Sequence, residues 1–549
     1  MSTWAGQPSV KGRSETMRMV LLTCVSIGIT FTWGVEMTYC TPYLLSLGLT
    51  KGQTSMVWVA GPLSGLIVQP IIGVVADGSK SKWGRRRPII ALGSIIVACS
   101  LLTLGFTKEI VASLVSDKQT ARILTITIAV FALYIVDFAI NGVMSCARSL
   151  VVDTLPIHKQ QSGAAWSSRM GSLGHIIGYG MGAVDLLQLF GTMFGDTQFK
   201  QLTVIAALGI LVCSSITCWA VTERVLISVR HDPTRAQGRF KVVRQIWSTL
   251  LTLPPRIRAI CWAQFWSWIG WFPFLIYSST WVGETYFRFD VPADAKTTDA
   301  LGDIGRIGST ALTVYSTVTF ISAWVLPPLI RAPEDDSFTH RPPASIARWV
   351  EQLNKIKPDL LTAWFASHIL FAFAMSLTPF AQSFRFATAL VALCGIPWSI
   401  AMWAPTTFLG VEVNKLSGAP SGPSSAGGGG SGGASYRRLS NGSSIEMRDM
   451  LLLQGDPESG AGVGSTGELS GVYFGILNIY TTIPQFISTF MSTIVFAVLE
   501  PGKSPELATD AHPSEHNDPG GPNAIAVCMF IGALSSLVAA VATRKLKYV

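Results

Sequence analysis

Charge is what this chain has least of. Asp, Glu, Lys and Arg make up 13% of its 549 residues, about half of the roughly 25% usual in a soluble domain. Paired cysteines are also missing. The nine Cys show no paired spacing, and Cys24, Cys40, Cys146, Cys213, Cys394 and Cys528 lie in apolar segments. They read as buried thiols, which leaves no disulfide framework and no zinc site. No nucleophile–base arrangement stands out, so an enzyme is not expected. The glycine-rich run from Gly427 to Ser435 has no strand before it and no Gly-Lys-Ser after it, which excludes a phosphate-binding loop. No metal or organic cofactor is indicated.

Apolar sequence fills the gap. Hydrophobic residues are 49% of the chain and its mean hydropathy is +0.43. A chain of 549 residues has room for a dozen membrane helices of about 20 residues each. Apolar runs fall at 19–46, 54–76, 88–107, 121–152, 163–190, 201–221, 258–287, 304–330, 359–380, 386–410, 470–497 and 523–543. The first is too long for a secretory leader and has no clear cleavage site. These runs predict an all-α membrane protein in a lipid bilayer.

The net charge of +9 raises the question of nucleic acid, but its distribution argues against it. About thirty of the 41 Lys and Arg fall in alternate loops and at the termini, which is the positive-inside pattern. Both termini are therefore expected in the cytosol. The reading divides the chain into a tail (1–18), six spans (19–221), an Arg-rich cytosolic bridge (222–257), six more spans (258–543) and a second tail (544–549). Within the second half, 412–468 reads as a disordered cytosolic loop. Arg437-Arg438-Leu439-Ser440 in that loop fits a basophilic-kinase acceptor, and a chance match is the plainer reading. The sequon at Asn441 would stay unmodified on the cytosolic side.

The run from Phe131 to Asp153 organises the rest. Asp137 sits inside an apolar helix with no compensating charge beside it. Such a carboxyl should face a cavity or hold a proton. Arg148, eleven residues on, lies on the same helical face, roughly 16 Å along the axis, and Asn141 shares the stripe. Glu36 is a second acid near the middle of the first span, and Gln264 and Ser278 add polar groups to the seventh. A protonatable acid, an amide and a fixed cation suit a proton-coupled site for a polar solute. His175 reads as a satisfied interior imidazole more readily than as a proton relay. Small residues Gly171, Gly174, Gly178, Gly180 and Gly182 predict close packing of the fifth span.

The most specific string runs from Gly61-Pro62 through Val68-Gln69-Pro70, Gly73 and Asp77 to Trp83-Gly84-Arg85-Arg86-Arg87-Pro88. It resembles a longer form of the loop signature of the major facilitator superfamily. With Thr41-Pro42-Tyr43, Cys146-Ala147-Arg148, Trp271-Phe272-Pro273-Phe274, Gly395-Ile396-Pro397 and Gly475-Ile476-Leu477-Asn478, it is similar to the glycoside–pentoside–hexuronide branch. Plant sucrose transporters and fungal α-glucoside transporters are the nearest likeness. The resemblance implies twelve helices in two six-helix bundles and proton–sugar symport, with spans one, four, seven and ten lining a central cavity. Plant relatives carry acids just after Phe-Pro-Phe. Here Ser278 and Thr280 stand there, and Glu284 follows near the outer end.

The expectation is an alternating-access symporter for a neutral glucoside, sucrose or maltose. Asp137 would load the proton, with Arg148, Asn141, Glu36, Gln264 and Ser278 around it. Asp77, Arg85, Arg86 and Arg87 would form a cytosolic gate, with a simple topology anchor as the competing reading. Two other functions fit: a sugar sensor without net transport, and a proton-coupled carrier of another sugar or glycoside. A plasma membrane or an internal one such as the vacuole would both suit.

Overall fold

The computed structural model describes residues 3–5, 7–77, 79–155, 157–223, 225–228, 250–290, 300–330, 357–416, 466–503 and 523–548. The long loop, Ser440 and most of the Arg-rich bridge lie outside them, as does the side chain of Asp77. Ten helices among the described residues are long and apolar enough to cross a membrane. Two further helices, Ala60–Asp77 and Ile157–Ala183, occupy the places expected for spans two and five. The chain is a multi-pass, all-α membrane protein.

Local chemistry starts the helices where the hydropathy does. Ser14 caps the first span by accepting from the Met17 N–H. Thr50 and Gln53 form a reciprocal cap on the short helix Lys51–Val57. Asp117 opens the fourth span, Lys118–Thr154, by accepting from the N–H and the hydroxyl of Thr120. Those bonds hold its carboxyl below the usual range. Pro88 sits in the first turn of Arg87–Gly105, where its missing N–H costs nothing.

Prolines also decide where the helices are irregular. Pro42 cannot donate to the carbonyl four residues earlier, and its ring crowds that turn. The first span accordingly widens into a π-helical turn at Glu36–Cys40. The tenth span breaks at Cys394, between Phe384–Leu393 and Gly395–Leu416. Pro397 cannot bond the Leu393 carbonyl, which explains a break at that place.

Among the described residues the two halves touch along several seams. Span five packs along span eight (Ala300–Leu329), span eleven (Thr466–Leu499) packs against Lys51–Val57 and span two, and span seven (Pro255–Phe289) meets the π turn. The aromatics of span seven are mostly packing. Trp271 is buried against Phe371 of span nine and Trp398 of span ten, with ring centroids 4.0 and 4.9 Å away. The N-terminal segment departs from the helical plan. Thr3–Ala5 pairs antiparallel with Val225–Ser228, and Ser9–Val10 with Val221–Thr222. The polar tail read from the sequence is thus bound to the chain that leaves span six.

Span five carries the glycine ladder, and it does bring helices together. A Cβ on Gly174 would lie 2.5 Å from the Ile27 carbonyl oxygen and 2.8 Å from the Ile27 Cα. A Cβ on Gly180 would meet nothing within 4 Å. Gly174→Val should therefore cost about 1–3 kcal/mol, with a clear fall in the thermal midpoint measured in detergent, while Gly180→Val changes it little. Equal midpoints for the two variants would contradict the contact role of the ladder.

Candidate functional site

Glu36 and Asp137 come together from different helices. Glu36 begins the π turn of span one and is 2% exposed; Asp137, in the middle of span four, is 4% exposed. They are close enough for their charges to interact. Glu36 Oε1 and Asp137 Oδ2 are both buried and take no hydrogen bond from any described residue. No ion pair joins either acid to Arg148, whose side chain is exposed three turns further along. The shared face read from the sequence therefore puts Arg148 in line with Asp137 but not in contact with it.

Asn141 is held from span two. Its Nδ2 donates to Ser64 Oγ at 2.8 Å and to the Asp137 carbonyl at 3.0 Å, and its Oδ1 accepts from Gln69 Nε2 at 3.0 Å. In span seven, Gln264 and Ser278 are both buried, and Ser278 Oγ has no described partner. The neighbouring Ser279 Oγ donates to the Met37 carbonyl at 2.6 Å, so the second half grips the π turn directly. Tyr39 Oη, in the same turn, donates to the Gly182 carbonyl at 2.7 Å. His175 stacks on Tyr179 with ring centroids 5.4 Å apart.

The arginine loop has bonds within its own half. The carboxylate of Glu223, just after span six, accepts the backbone N–H groups of Arg85, Arg86 and Arg87 at 2.9, 2.9 and 2.8 Å. It thereby caps the start of span three, where a negative charge is favoured. Gly84 permits this approach: its φ is +114°, and a Cβ there would lie 2.7 Å from Glu223 Oε1. Arg85 and Arg86 reach Asp153 at the end of span four, at 2.6 and 3.1 Å. These bonds join spans three, four and six of the first half; the sequence reading paired an arginine with Asp77 instead, whose side chain lies outside the described residues. Glu223 was not singled out, because it is remote in sequence and no local spacing marks it.

Ion pairs between the two halves, among the described residues, lie at the opposite end. Lys51 of the first half is buried between Glu284 and Glu500 of the second, 2.8 Å from Glu284. Asn523 Nδ2 donates to Glu284, while Glu500 takes Arg288 at 3.4 Å and the Ala524 N–H at 2.9 Å. Arg306 of span eight pairs with Asp185 after span five. Neither Lys51 nor Glu500 stood out in the sequence, since each looks like an ordinary loop charge. Only the fold shows that they are buried together.

Twelve helical segments in two facing halves, with acids buried at the centre, invite comparison with known carriers. Solved structures share this architecture. A bacterial homologue of the human lysosomal transporter Spinster, inward-facing and occupied, matches with a TM-score of 0.54 at 13% identity, over 98% of each chain. A D-xylose–proton symporter matches with a TM-score of 0.51 at 10% identity, over 96% of this chain and 98% of its own. The chain shares the fold of these transporters. No family model matches the sequence. The general alpha-glucoside permease of Schizosaccharomyces pombe is 28% identical over 589 aligned positions, covering 98% of this chain and 94% of that protein. Sucrose transport protein SUT1 of Oryza sativa subsp. japonica is 24% identical, over 57% of this chain and 62% of its own length. The match to SUT1 therefore spans less than two thirds of that protein. These relatives bear out the likeness drawn from the sequence motifs, and each is a transporter or permease by name.

The Lys51 cluster holds the halves closed at its end, because parting them would strand buried charges. Lys51→Ala or Glu284→Gln should raise amide hydrogen exchange over 51–58 by about tenfold or more, the change produced by about 1.4 kcal/mol of bias. Unchanged exchange in both variants would show that the cluster does not keep this end shut.

Proposed function

We propose that the protein is a sugar transporter that moves a neutral α-glucoside, sucrose or maltose, together with a proton by alternating access. The sugar class is supported by the named relatives and by a site that pairs amide and hydroxyl groups with protonatable acids. The observation that carries the proton is the Glu36–Asp137 pair. Two carboxyls buried this close, with free oxygens and no cation on them, are a place to take up and release a proton.

The geometry also supplies a link between proton and motion. Glu36 lies in a π turn held by Ser279 of the other half, whereas Asp137 stands on a helix braced within its own half. Rocking the halves apart would pull Glu36 relative to Asp137 and change their mutual repulsion. A protonated pair would permit one state and an ionised pair the other, which is what coupling requires. With both termini in the cytosol, the closed Lys51 end faces outward and the site is served from inside. Arg148 would meet an ionised Asp137 through water rather than by direct contact. Gln264 and Ser278 would supply hydroxyl-binding groups from the second half, and the Arg85–Arg87 loop would stiffen the cytosolic side of the first. No step in this scheme calls on a cofactor.

Asp137→Asn should abolish accumulation of labelled maltose or sucrose driven by an imposed pH gradient in proteoliposomes, while exchange across equal sugar concentrations persists. The amide copies the protonated acid but cannot release a proton. Full concentrative uptake by this variant would remove Asp137 from the coupling mechanism.

A further inference from the structure

Asn141 has no donor left for a ligand. Both of its N–H groups are used, on Ser64 and on the Asp137 carbonyl, and its oxygen is taken by Gln69. It is 6% exposed. Gln69 is different. It is half-buried, and apart from its one bond to Asn141 neither its carbonyl oxygen nor its second N–H meets a described residue.

The direction of these bonds is set from one end. Ser64 Oγ donates its single proton to the Gly61 carbonyl at 2.7 Å, so towards Asn141 it can only accept. Asn141 must then present its N–H groups to Ser64 and its oxygen to Gln69. Gln69 must in turn give an N–H to Asn141, which leaves its Oε1 pointing elsewhere as a free acceptor. Beside it the helix surface is hollow. Gly65, one turn before Gln69, has no side chain, and a Cβ there would meet only Asn141 Oδ1 and Gln69 Nε2, each at 3.9 Å. Asn141, whose Oδ1 borders this notch, is one helical turn from Asp137 on the same helix.

We propose that Gln69 is a specificity-determining residue of the sugar site, its Oε1 accepting a hydrogen bond from one hydroxyl of the α-glucoside seated in the Gly65 notch. Asn141 and Ser64 are positioning residues that fix the amide for that contact. This rests on the sugar-transport reading above and names a group within its site. A neutral amide suits a neutral solute: it recognises an O–H without adding charge next to Glu36 and Asp137. A site built to accept from a hydroxyl also rejects the analogue that lacks it.

The test is equilibrium binding of maltose and its singly deoxygenated derivatives to the purified full-length protein. In the parent, one deoxygenated derivative should bind about tenfold more weakly than maltose, for loss of the hydroxyl that Gln69 reads. Gln69→Ala should weaken maltose by about the same factor and bind that derivative as well as it binds maltose. Gln69→Met, which keeps the side-chain volume, should behave alike and covers the case of an Ala variant that fails to fold. A general loosening of the site would weaken all the sugars and leave the discrimination intact. If both variants keep the parent's discrimination against every deoxygenated derivative, Gln69 does not read the sugar and the proposal is overturned. If the parent binds maltose, sucrose and the derivatives not at all, the sugar reading itself fails and takes this inference with it.

Discussion

Two acids buried in the middle of a membrane bundle without a cation are costly, and the structure is arranged around that cost. Glu36 and Asp137 have no partner able to neutralise them within the described residues. Every other buried acid discussed above is answered by a nearby donor or cation: Glu223 by three backbone N–H groups, Glu284 and Glu500 by Lys51. The contrast separates acids that hold the fold from the two proposed above to exchange a proton. It also explains why Asn141 is tied so fully to span two. A helix carrying an exchangeable charge needs its position fixed by groups that do not titrate.

The halves are joined by two kinds of contact. At the Lys51 end the contact is charged and buried, so it opens only if water replaces it. Nearer the centre it is neutral: the Ser279 hydroxyl on the Met37 carbonyl, and Gly305 of span eight against the Tyr39 ring. Towards the other end the Arg169 guanidinium lies over the Trp324 ring at 4.2 Å, a contact that tolerates sliding. The rocking motion proposed above would need one end that locks and another that slips, and these contacts suit both. The π turn sits between them, where in the coupling proposed above a change in protonation would have most leverage on the seam.

Much of this was legible in the sequence. Hydropathy located the helices, and the scarcity of charge made Asp137 and Glu36 stand out. The glycines of span five announced a close helix contact, and Gly174 makes it. The pairing of distant charges was not legible. Lys51, Glu284 and Glu500 are separated by more than two hundred residues at each step, and no periodicity links them. The arginine loop was read as a gate because its charges are conspicuous, yet its described bonds brace spans three, four and six. Asn141 looked like a ligand group because it shares a stripe with Asp137; only its partners on span two show that it is already occupied. Local pattern thus identified which residues were unusual, and three-dimensional partners decided what each is for.

The central claim is that sugar and proton move together through the site at Glu36 and Asp137. Its most direct test is a pH-sensitive dye sealed inside liposomes that contain only the purified full-length protein, with no pH gradient imposed. Adding maltose or sucrose outside should acidify the interior in step with entry of labelled sugar, and adding a non-transported polyol should do nothing. Sugar entry with no change in internal pH would contradict the account, because the two acids would then be buried for some reason other than coupling.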